Sequence, residues 1–234
     1  LDKARTLERP WIALALGVQA FERADEAVAR GDAPEVDDEL GRTLQKALTE
    51  TKDPSGQGAL AIALGLSGYR AAGDALRQQL QSSKSKDDVA GYTSIGLCLM
   101  GDDRARDDLR QLLARSQRRP ALFQQVAIAL GKLGDSAIAV ELQEHLRAEA
   151  NLATMSAVAA ALGFIGDRRS IGQLVAIQGD ESLSGLGRAF AVAAIGGVVD
   201  KEDVPWNTKI GVDMNYRAAV ETLTDKIAGI LDLL

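Results

Sequence analysis

Ala127-Ile128-Ala129-Leu130-Gly131-Lys132-Leu133-Gly134-Asp135 is an apolar helix end, a glycine stop and an aspartate restart, and variants of it recur along the chain. Aligned on the glycine of the Ala-Leu-Gly element, the copies fall at Gly17, Gly65, Gly96, Gly131, Gly163 and Gly196. Successive spacings are 48, 31, 35, 32 and 33 residues. A period near 33 marks repeated supersecondary units, each too small to bury its own apolar face.

Each unit reads as two helices. The first runs into the Ala-Leu-Gly element, over Pro54 to Leu66, Lys86 to Leu99, Arg119 to Leu133, Leu152 to Ile165 and Ser184 to Ile195. Apolar residues surround these helices on most sides, the pattern of a helix lodged between neighbours. The second helix carries a single stripe: Ile138, Leu142 and Leu146 recur every four residues while Glu141, Glu144 and Arg147 point away. Gly134 and Gly166 stand where the chain leaves a helix and needs a left-handed residue. Asp135 and Asp167 then accept the first free N–H groups of the next turn. Gly131 and Gly163 lie within helices, where glycine costs about 1 kcal/mol against alanine, so their use predicts close approach of a partner helix.

The pattern Ala-Leu-Gly-x-x-Gly-Asp at Ala129–Asp135, with the related Ala161–Asp167, resembles the HEAT repeat in the form named after phycobilisome lyases. The resemblance covers residues 54–200, with degenerate copies on either side. It implies an all-α fold, a right-handed α-solenoid of about five to six helix pairs, whose inner face binds other macromolecules. Three departures stand out: Tyr69 in place of a restarting aspartate, two extra residues before Asp102, and Gly197 in place of a side chain after Gly196. The framework residues that carry the resemblance transfer no catalytic residue from lyases.

Around this regular body, residues 1–53 read as an irregular helix pair with an acidic loop. Pro10 opens a helix carrying Trp11, Ile12, Leu14 and Leu16, and a second helix is expected near Val36–Thr51. Between them, residues 22–39 hold eight acids against two arginines, a net −6, equal to the charge of the whole chain. That stretch reads as a solvated loop; it lacks the alternating acids and central glycine of an EF-hand. Residues 201–234 read as a capping tail: Val204–Met214 extended, then a helix from Asn215 to about Leu223 and an apolar run to Leu234. All three parts are expected to form one continuous domain. The chain begins Leu-Asp-Lys with neither a starting methionine nor a signal-peptide pattern, which reads as a processed or excised fragment.

Composition narrows the function. No basic stripe is present to displace counterions from phosphates, so nucleic acid is not the expected partner. No run approaches the roughly 20 apolar residues of a membrane span. The single cysteine, Cys98, and the single histidine, His145, both border apolar helix positions, and no metal, cofactor or catalytic set is expected from them. In this repeat type the first helix lines the inner face, with the positions three and seven before the aligned glycine most open. Leu14, Ile62, Val89, Thr93, Gln124, Ile128, Ser156 and Ala160 occupy such positions, and none is charged. The expected function is therefore a non-catalytic scaffold or interaction module that holds a protein or peptide on an uncharged, apolar groove. The alternatives are a lyase-type enzyme or subunit acting on a chromophore or modified side chain, and a structural, self-associating segment.

Overall fold

The computed structural model describes residues 8–83, 85–148 and 151–199, which are helical with no strand among them. Eleven α-helices follow in order: α1 (Arg9–Ala29), α2 (Asp38–Glu50), α3 (Pro54–Leu66), α4 (Gly73–Ser82), α5 (Asp87–Met100), α6 (Arg106–Arg115), α7 (Pro120–Lys132), α8 (Ile138–Ala148), α9 (Leu152–Ile165), α10 (Ile171–Gly179) and α11 (Gly185–Val199). The helix bounds read from the sequence are met at α3 and α9 and lie within four residues elsewhere in the regular units. The extended segment and capping tail expected over 201–234 lie outside the described residues.

The described residues fall into two compact units that divide between residues 112 and 113, inside α6. In the first unit α1 packs on α3 and α3 on α5, with α2 against α3 and α4 against α5. In the second, α7 packs on α9 and α9 on α11, with α8 against α9 and α10 against α11. First helices thus pack on first helices within each unit, and the second helices lie against them.

Glycine makes these contacts close. A Cβ added at Gly96 would stand 2.7 Å from the carbonyl carbon of Ala61 and overlap its oxygen, while one at Gly65 would stand 2.9 Å from the Gly96 Cα. Gly197 has the same explanation, because a Cβ there would meet the Gly163 Cα at 2.8 Å. Backbone touches backbone at these crossings, and no rotamer change can relieve an added methyl group.

The turns carry the polar chemistry read from the motif. Gly134 and Gly166 adopt φ of +79° and +68°, and the Asp135 N–H returns to the Leu130 carbonyl at 3.0 Å, closing the helix end. The Asp135, Asp167 and Asp102 carboxylates accept the N–H two residues on, at 3.1, 3.0 and 3.3 Å. Tyr69 cannot do this; its ring instead packs over Gly41 of α2, where a Cβ would overlap it.

The acidic stretch 22–39 is not one solvated loop. Glu22, Asp25 and Glu26 continue α1, and the connection spans only residues 30–37. Helical spacing of Ala20, Ala24 and Ala27 keeps one side of that extension apolar, and Ala27 is buried. Asp37 caps α2 by accepting the Leu40 N–H at 2.9 Å, and Asp38 and Glu39 sit in its first turn, where the helix dipole favours negative charge.

Candidate interaction surface

The eight uncharged positions separate by unit. In the first, Leu14, Ile62, Val89 and Thr93 are all buried, so the open face expected there is a correction: these residues are core. Thr93 shows the cause on α5. Its hydroxyl accepts from Gln79 Nε2 of α4 at 2.7 Å and donates to the Val89 carbonyl at 2.6 Å, so this side of α5 faces its companion helix. Ile128 on α7 is likewise buried.

In the second unit Gln124 and Ala160 are half-buried and Ser156 is exposed. Ala189 and Ala193, the matching positions on α11, are exposed as well. Ser156 and Ala189, Ala160 and Ala193, and Ala153 and Leu186 are each 33 residues apart. On two helices packed side by side, such pairs point the same way. Together they make an uncharged strip of small and apolar side chains across α9 and α11. Ala153 and Leu186 escaped the three-and-seven count, and a helical-wheel extension by three more residues recovers them.

The titratable groups offer less. His145 is half-buried on α8 and stacks edge-on against Phe123, ring centroids 5.3 Å apart at 76°, which is a packing contact. Cys98 is buried. Among the described residues no group of three or more His, Cys, Asp or Glu side chains is placed to hold a metal, and no helix is long and apolar enough to cross a membrane.

The most developed charge cluster joins α4 to the turn before α6. Asp102 receives Arg104 Nε at 2.8 Å and Nη2 at 3.0 Å, and Arg77 Nε lies 3.5 Å away. Arg104 also reaches Asp74 at 3.3 Å, and Arg77 pairs with Asp74. Burial works to raise the Asp102 pKa, but the hydrogen bonds from Arg104 and the charges of Arg104 and Arg77 outweigh it and hold the carboxyl below the usual carboxylate range. A general base works best with a pKa near neutrality, so this aspartate is a fixed anion. It pins α4 to the next turn.

A depressed folded-state pKa stabilises above the unfolded value and loses that contribution as pH falls through the folded value. Wild-type stability should therefore decline below about pH 4, and Asp102→Asn should flatten that part of the profile. At neutral pH the variant should cost about 1.5–3 kcal/mol, the range for hydrogen bonds to charged groups. Urea titrations at a series of pH values measure both effects. An unchanged acid limb would show that Asp102 is not the coupled group.

Compared with protein-family models, curated proteins and solved structures, the chain matches none.

Proposed function

We propose that the chain is an α-solenoid of HEAT-like helix pairs that works as a non-catalytic interaction module, holding a protein or peptide on the uncharged strip of α9 and α11. The helix-on-helix packing within each unit and the 33-residue sequence period support the solenoid reading. The observation that carries the function is the strip itself: Ala153, Ser156, Leu186, Ala189 and Ala193 are exposed without a charge among them, and Ala160 continues the row. Contiguous exposed apolar surface of this kind is a common property of interaction sites. Small side chains suit an extended or helical peptide, because they let its backbone approach without a steric barrier.

The test is a charge insertion that leaves the fold intact. Ser156→Arg with Ala193→Glu alters two open positions, and surface substitutions of this type change stability by about 0.5 kcal/mol or less. Immobilised wild-type chain should retain a specific protein from an extract of the source cells, and the double variant, with its melting unchanged, should lose it. Equal retention by both proteins, or none by either, would rule out the strip as the binding face.

A further inference from the structure

We draw no further inference here: the strongest candidate, the exposed small-residue stripe of Gly172, Val175, Ala176 and Gly179 along one face of α10, carries nothing because no second feature among the described residues shows what covers it.

Discussion

Gly96→Ala is expected to destabilise the first unit by about 3 kcal/mol or more, although alanine is the better helix former by about 1 kcal/mol. The added methyl group meets the Ala61 backbone at 2.7 Å and overlaps its carbonyl oxygen, so α3 and α5 must separate to admit it. Overpacking of a tight core costs about 1–3 kcal/mol when side chains can move, and here the obstacle is a helix backbone. Separation would also disturb the α1 contact on the other side of α3. Gly172→Ala is the control: its Cβ meets nothing within 4 Å on an exposed part of α10, and it should gain a few tenths of a kcal/mol. Urea denaturation of the two variants decides the matter, and similar midpoints would show that the α3–α5 crossing yields easily.

Ile128→Asp should cost about 4 kcal/mol or more. Ile128 is 4% exposed, and an aspartate there loses the apolar contacts of a buried isoleucine and desolvates a carboxylate. The buried carboxyl has its pKa raised above the unfolded value, so the penalty is greatest at neutral pH and shrinks as acid protonates it. Ser156→Asp, at an exposed position of the neighbouring α9, should stay within about 0.5 kcal/mol of wild type. Circular dichroism melts at pH 7 separate the two outcomes. A folded Ile128→Asp protein with an unchanged midpoint would return Ile128 to the surface.

The contrast between these two substitutions shows what the sequence could convey. The Ala-Leu-Gly period located the helices because capping and restart chemistry are local: Gly134, Asp135, Gly166 and Asp167 do in three-dimensional detail what their order implies. The acids of α1 misled because helix continuation at Glu22–Glu26 rests on alanines spaced along one side, a weaker mark than a run of charge. The groove positions were harder still. Counting back from a glycine tells which side of a helix a residue occupies. It does not tell which neighbouring helix covers that side, as Gln79 of α4 covers Thr93 while Ser156 and Ala193 stay open.

The Asp-x-Arg turns have a consequence of their own. At Asp167 the carboxylate takes the Arg169 backbone N–H at 3.0 Å and its guanidinium at 2.8 Å, all within three residues. Asp102 and Arg104 repeat the arrangement. A connector that settles its own charges and donors makes few demands on what lies before or after it. The Asp167 turn is portable in this sense, whereas the Asp102 turn must travel with α4, whose Arg77 and Asp74 reach Asp102 and Arg104. Excising or duplicating whole repeat units with that pairing kept strands no buried ion and leaves each junction chemically complete. Change of length by entire units is then the gentlest alteration open to this chain, whereas a deletion of five or ten residues would leave a helix without its stop.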